Sequence, residues 1–238
     1  MPYSLNTIDL ISAICVGLNQ ALVGHPFDTV KVLLQTHSTK RPPLVWYRLP
    51  WRTYYRGVRY PLMTGIGFNG TVFPVYEAVR RQWGSPFWAG FVAGMMVTPF
   101  VAVSEGAKII RQTSTTRQLT RGVVCRGMPS TFLRETSAMS TYFATYSYLH
   151  ETHHIHPFWA GGLCGLAGWT VSYPVDVIRS RQIASETPLG FMEAMHRGRL
   201  WVGFPACAVR AMVVNATNFA VYEAVRDRLE STPATTED

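Results

Sequence analysis

The sequence predicts an all-α membrane protein: six transmembrane helices, forming three tandem helix hairpins with pseudo-three-fold symmetry around a central cavity. Three observations predict it. Charged residues are 15% of the 238, against roughly 25% in an average soluble domain. Those charges avoid six stretches of bilayer-spanning length. Short sequence fragments also recur along the chain at a repeat spacing.

The six stretches justify the six helices one by one. Residues 1–24 hold one charge, Asp9, and residues 57–76 hold only Arg59. Residues 82–104 hold none, and residues 127–149 hold only the adjacent Arg134 and Glu135. Residues 152–175 hold none, and residues 202–222 hold only Arg210. Each is about 20 residues or slightly more, the length that crosses a bilayer as a helix. A soluble fold can bury one or two helices without a charged face, but six would have nothing to turn toward water. No run of about 20 residues is purely apolar, so the expected bundle is amphipathic, with a polar interior. A disordered chain is excluded, because 47% of residues are hydrophobic and 13% aromatic.

The connections set an orientation. Residues 37–56 carry Lys40, Arg41, Arg48, Arg52 and Arg56 with no acid, and residues 113–127 carry Arg117, Arg121 and Arg126 with no acid. Residues 184–203 carry Arg197 and Arg199 against Glu186 and Glu193. The first, third and fifth connections therefore lie on the positive-inside face, and both termini on the other. The net charge of +8 is spread over these loops. It gathers on no soluble module, so no nucleic-acid partner is expected. Cys15, Cys125, Cys164 and Cys207 form no CxxC pair and read as reduced, buried small residues. The first ten residues contain no Lys or Arg and predict neither a secretory signal nor a transit peptide.

The hairpins are read from registers. SPFWAG at 85–90 returns as HPFWAG at 156–161, and FPVYEAVRR at 73–81 returns as FAVYEAVRD at 219–227. Ala13/Gly17, Gly90/Gly94 and Gly161/Gly165 are pairs of small residues that let membrane helices approach closely. The second member of each precedes Pro26, Val103 or Pro174 by 9 residues. Gly57, Gly127 and Gly203 precede Tyr76, Tyr146 and Tyr222 by 19 residues each. The chain is thus one domain, 1–238, with repeats near 1–83, 84–152 and 153–230 and a polar tail at 231–238. Parallel repeats of this kind place a site where they meet.

An acid and a base three residues apart share a helix face. The odd helices end in Pro26-Phe-Asp28-Thr-Val-Lys31, Val103-Ser-Glu105-Gly-Ala-Lys108 and Pro174-Val-Asp176-Val-Ile-Arg179. The even helices end in Tyr76-Glu77-Ala-Val-Arg80, Tyr146-Ser147-Tyr-Leu-His150 and Tyr222-Glu223-Ala-Val-Arg226. Charges inside membrane segments face a cavity or a partner. Each acid can reach the base of a neighbouring helix. Asp28, Lys31, Glu105, Lys108, Asp176 and Arg179 would then close one end of the cavity. Glu77, Arg80, Glu223 and Arg226 would close the other with two pairs instead of three. Pro26 and Pro174 supply kinks that draw the helix ends together.

By these motifs the chain resembles the mitochondrial carrier family over essentially its whole length. The resemblance implies a mitochondrial inner-membrane solute carrier working by alternating access. Its first ring would face the matrix, and both termini the intermembrane space. Arg134, Glu135 and Arg210 lie at the depth where the family contacts substrate, with Phe68 and Asn69 at that level in the first repeat. The Arg134–Glu135 pair and Arg210 resemble the carnitine and ornithine branch. Two arginines and a carboxylate suit a zwitterionic amino acid or a carnitine ester. Tyr55-Arg56-Gly57 resembles the family's cardiolipin-binding helix start, with Gly127 and Gly203 as partial copies. No other cofactor and no metal is expected. The four histidines of HETHHIH at 150–156 fall in a connection and read as a solvated turn. No catalytic constellation stands out, so no enzyme is expected.

A second function stays open: a carrier-like protein that no longer transports and serves as a subunit of a respiratory or other inner-membrane complex. Val103, Ser147, Leu33, Ile110 and Ile183 depart from the family pattern in that direction. The connections are also short, with little room for the family's surface helices. For transport stand the complete first ring and the charges at cavity depth.

Overall fold

The computed structural model describes residues 7–36, 50–113 and 118–231, apart from some side chains within the helices. Among these residues there are eight α-helices, one π-helical turn and no strand. They run α1 (Thr7–Thr36), α2 (Trp51–Tyr54), α3 (Arg59–Trp83), α4 (Pro86–Thr113), α5 (Arg121–Tyr146), the π turn Ser147–Thr152, α6 (Pro157–Ala184), α7 (Phe191–His196) and α8 (Phe204–Ser231). Each of the six long helices takes up most of one charge-poor stretch. They have 25 to 30 residues, which is about 37 to 45 Å of helix.

Helices α3, α4, α5 and α6 pack side by side in sequence order, and α8 packs on α1. The odd helices α1, α4 and α6 also touch one another pairwise. This three-way meeting brings the acid–base motifs together. Pro26 and Pro174 both lie inside continuous helices. In α4, where valine stands at the motif's proline position, Pro99 lies one turn earlier.

Glycine sets the closest approach. A Cβ at Gly90 would meet the Met139 carbonyl oxygen at 2.5 Å, and one at Gly94 would meet that of Glu135 at 2.6 Å. Nothing lies within 4 Å of the same position at Gly17, Gly161 or Gly165. The expected small-residue seam is therefore used in the middle hairpin only. On α6 the approach is made by Gly168, whose Cβ would meet the Ala138 carbonyl oxygen at 3.1 Å.

Packing is distributed over several clusters. Val72 and Tyr76 meet Ala93, Val97 and Phe143 between α3, α4 and α5. Tyr76 and Phe143 stack with ring centroids 3.7 Å apart. Val32, Ile109, Ile110, Val123 and Ile183 join the ends of the odd helices to the start of α5. Large apolar side chains meanwhile point outward: Met212 is 73% exposed, Trp159 65%, and Leu166 and Met96 just over half. Lys31, Arg134, Glu135, Asp176 and Arg179 are buried. The polarity runs opposite to that of a water-soluble globule.

The even helices do not all start alike. Gly57 (φ 82°) and Gly203 (φ 85°) adopt the left-handed conformation just ahead of α3 and α8. Gly127 does not open α5. That helix begins at Arg121, and Gly127 sits inside it against Ile183, 3.1 Å from where a Cβ would project. The turns before α3 and α8 are held by equivalent bonds. The Nε2 of His25, one residue before Pro26, donates to the Arg56 carbonyl at 2.9 Å. The hydroxyl of Tyr173, one residue before Pro174, donates to the Val202 carbonyl at 3.1 Å. Ala102, in that place on α4, has no polar group, and the chain ahead of Gly127 continues as helix.

The shortened fifth connection keeps a surface helix after all. Helix α7 buries Ala194 beside Leu189 and Ile178. Arg181 fastens it, donating to the carbonyls of Ala194 at 3.1 Å and Gly198 at 2.8 Å.

Candidate functional site

The three odd helices deliver one acid and one base each to a common point, and the pairs close in cyclic order. Lys108 Nζ donates to Asp28 Oδ2 at 2.6 Å, joining α4 to α1. Arg179 Nη1 donates to Glu105 Oε2 at 2.8 Å, joining α6 to α4. Lys31 Nζ lies 2.8 Å from Asp176 Oδ2, joining α1 to α6. All six residues of the first predicted ring are thus brought together.

Residues that sequence reasoning did not assign brace the ring. Gln35 donates to Asp176 at 2.9 Å, and Gln112 to the Thr29 hydroxyl at 2.9 Å. Both glutamines stand four residues after the motif's base, a recurrence that could have marked them. The third repeat has Ile183 there, and Gln182 turns to the Leu189 carbonyl at 3.3 Å instead. Arg179 Nε donates to the Thr131 hydroxyl at 2.8 Å. Trp169 lies under Lys31, whose Nζ is 4.3 Å from the ring centroid, and 5.4 Å from the Arg134 guanidinium. Nothing in the sequence singled out Trp169.

The residues read as a separate substrate site join this network. Arg134 contacts Glu135 beside it and reaches Glu105 Oε2 at 3.2 Å and Asp176 Oδ1 at 3.3 Å. Arg210 Nε lies 2.7 Å from Asp28 Oδ1, without the alignment of a hydrogen bond. Gly24 makes room for it, since a Cβ there would stand 3.0 Å from Arg210 Nε. The two predicted layers, gate and site, therefore share Asp28, Glu105 and Asp176. The reason is reach: an arginine side chain, about two turns into α8 or between three and four turns into α5, spans the distance to the ring. Five cations face four carboxylates in this cluster. The net positive charge favours a ligand that brings a carboxylate.

A cavity of about 490 Å³ lies above the network, with Phe68, Val72, Ala138, Tyr142 and Glu135 among its walls. A chamber of about 90 Å³ lies below, bounded by Lys31, Gln35, Asp176 and Arg179. Asp28, Glu105, Lys108, Arg134, Trp169 and Arg210 line both. They form the floor of one and the roof of the other. The side chain of Asn69 lies outside the described residues.

The second predicted ring looks different. Glu77 pairs along its own helix with Arg81 at 3.7 Å, and both are exposed. Arg80 Nη2 donates to Glu151 Oε2 at 3.0 Å, a residue outside the predicted ring. The side chains of Glu223 and Arg226 lie outside the described residues. Of the residues matched to lipid binding, Arg56 is exposed and Gly57 and Gly203 flank helix starts, while Gly127 is helix interior.

Comparison with known proteins assigns the family. The model of the family described as Mitochondrial carrier protein matches residues 4–87 and 150–232. The unmatched interval, 88–149, covers most of the repeat in which Val103 and Ser147 depart from the motifs. A human mitochondrial basic amino acids transporter is 30% identical over 92% of this chain and 89% of its own length. A mitochondrial arginine transporter of Arabidopsis thaliana is 26% identical over 87% of this chain and 86% of its own. A mitochondrial carnitine/acylcarnitine carrier-like protein of the same plant is 27% identical, covering 93% and 98%. The shared family is one of transporters, not enzymes. With three acid–base motifs drawn to one point and relatives aligned along nearly its full length, the chain belongs to the mitochondrial carrier family.

Proposed function

We propose that the protein exchanges an amino acid across the mitochondrial inner membrane by alternating access, with basic amino acids the first candidates. The carrying observation is the floor of the cavity, where Arg134 and Arg210 are held by the carboxylates that also hold the ring bases. A zwitterion offers both signs. Its carboxylate competes with Asp28 for Arg210, and its ammonium competes with Arg134 for Glu105 and Glu135. Either exchange loosens a carboxylate of the ring, so cargo binding and ring opening are coupled. The names of the amino acid and arginine transporters among the relatives support this class, and a carnitine ester presents the same two charges.

Six spans are part of the proposal. Only α4 reaches the usual length and hydropathy of a membrane helix among the described residues. The exposed Ile14 and Leu18 of α1, Leu133 of α5, Trp159 and Leu166 of α6 and Met212 of α8 support four of the others. A helix with a polar inner face and a lipid-facing outer one scores low on mean hydropathy and still spans. Six spans put both termini on one side, with the ring toward the matrix. Cardiolipin against Arg56, Gly57 and Gly203 completes the reading. No observation favours a subunit role in a respiratory complex.

The test is uptake into cardiolipin-containing liposomes, screening labelled arginine, lysine, glycine, glutamate and carnitine. Arg210→Ala lowers uptake at least tenfold, the effect of removing one charge-assisted pair of roughly 1.5–3 kcal/mol from a binding site. Unchanged uptake by this variant would remove Arg210 from the site. Absence of uptake with every solute would end the carrier reading.

A further inference from the structure

The chain from the motif tyrosine of α5 to the start of α6 is one residue longer than that from the motif tyrosine of α3 to the start of α4. Tyr76 precedes Pro86 by 10 residues, whereas Tyr146 precedes Pro157 by 11. Within this stretch α5 widens into the π turn Ser147–Thr152, where α3 continues as α-helix to Trp83. A π turn is the usual way for a helix to absorb a single insertion, and such turns occur often at functional sites. In this turn Ser147, at the position where the family's motif has an acid, donates its hydroxyl to Glu151 Oε2. The same carboxylate oxygen accepts Arg80 Nη2 at 3.0 Å across from α3. His150, at the motif's base position, donates Nδ1 to the Ile155 carbonyl at 3.0 Å, closing the turn.

We infer that Glu151 is the displaced acid of the outer gate. It takes over the pairing with Arg80 that an acid at Ser147 would make, and the π turn and the Ser147 hydroxyl position it. The inference rests on the alternating-access reading. It adds to the expected ring of Glu77, Arg80, Glu223 and Arg226 a link between α3 and α5, Arg80–Glu151, beside the Glu77–Arg81 contact along α3. The pair bridges two helices that flank the cavity mouth, since Phe68, Val72 and Phe73 of α3 and Met139, Tyr142 and Phe143 of α5 line the cavity below it. Arg80 is 28% and Glu151 48% exposed by side chain, so the link is weak enough to break in each cycle.

The experiment uses the full-length protein in liposomes with two readouts. The first is uptake. Glu151→Gln lowers it about fivefold, as loss of one partly exposed ion pair would. Ser147→Asp in the Glu151→Gln background returns at least half of the loss, because the acid is restored at the motif position. The charge swap Arg80→Glu with Glu151→Arg does the same. The second readout needs no transport. In a background without the four native cysteines, Ala138→Cys in the cavity wall is labelled by a membrane-impermeant thiol reagent. Glu151→Gln speeds that labelling severalfold, and adding Ser147→Asp slows it again. If Glu151→Gln changes neither readout, or Ser147→Asp rescues neither, the inference is overturned. If no solute is taken up and labelling still responds to both substitutions, the latch stands and the transport reading falls.

Discussion

The inner and outer ends of the bundle are built from the same motif and hold together differently. At the inner end three acid–base pairs close in a cycle, and Arg134 and Arg210 add a second tier. The participating side chains are mostly buried, with Arg179 at 1% and Asp176 at 5% exposure. At the described outer end one pair, Arg80–Glu151, spans two helices in the open. Buried ions shed their water and must be fully satisfied by partners. Exposed ions keep their water and bind one another weakly. The structure is therefore fastened at the inner end and lightly latched at the outer.

Substitutions at the two ends sharpen the contrast. Asp176→Ala leaves Lys31 and Arg134 short of a buried counter-charge and Gln35 without its acceptor. Breaking a buried pair in this way costs about 3–5 kcal/mol, so the melting temperature in detergent falls by roughly 10 °C. A fall of less than about 3 °C would mean that the cluster is hydrated and open. An intermediate effect is expected where α4 meets α5 at the depth of Glu135. Gly94→Ala drives a methyl into a backbone oxygen and costs about 1–3 kcal/mol. Gly165→Ala on α6 meets open space and is neutral or slightly stabilising. Equal melting temperatures for these two would contradict the close approach of α4 and α5. The smallest effect belongs to the outer end. Glu151→Gln shifts melting by no more than about 2 °C, although it changes uptake and labelling.

Much of this was readable in the sequence, for identifiable reasons. The six long helices follow from where charges are missing, because a spanning segment tolerates few of them. The cyclic pairing of Asp28, Glu105 and Asp176 with Lys108, Arg179 and Lys31 follows from acid and base three apart on three equivalent helices. Arg134 and Arg210 were found by depth alone, and depth does not reveal reach. Their long side chains carry them into the ring, merging two layers expected to be distinct. Gly127 was misplaced because its register matches Gly57 and Gly203, while its backbone does not take their positive φ. The pairing of Glu151 lay beyond motif reading. It depends on α5 widening into a π turn, and residue spacing does not distinguish that from a longer loop.

The bonds from His25 to the Arg56 carbonyl and from Tyr173 to the Val202 carbonyl have a mechanical consequence. They are welds, each fixing the elbow of a hairpin to its own odd helix beside the proline. The first and third hairpins are thereby tied at the elbow, close to the ring of acid–base pairs. The middle hairpin has alanine at that point and no weld of this kind, and its other end carries the widened turn. It is clamped instead along its length, where Gly90 and Gly94 bring α4 against the α5 backbone, so the three hairpins of one repeat pattern are fastened at different heights.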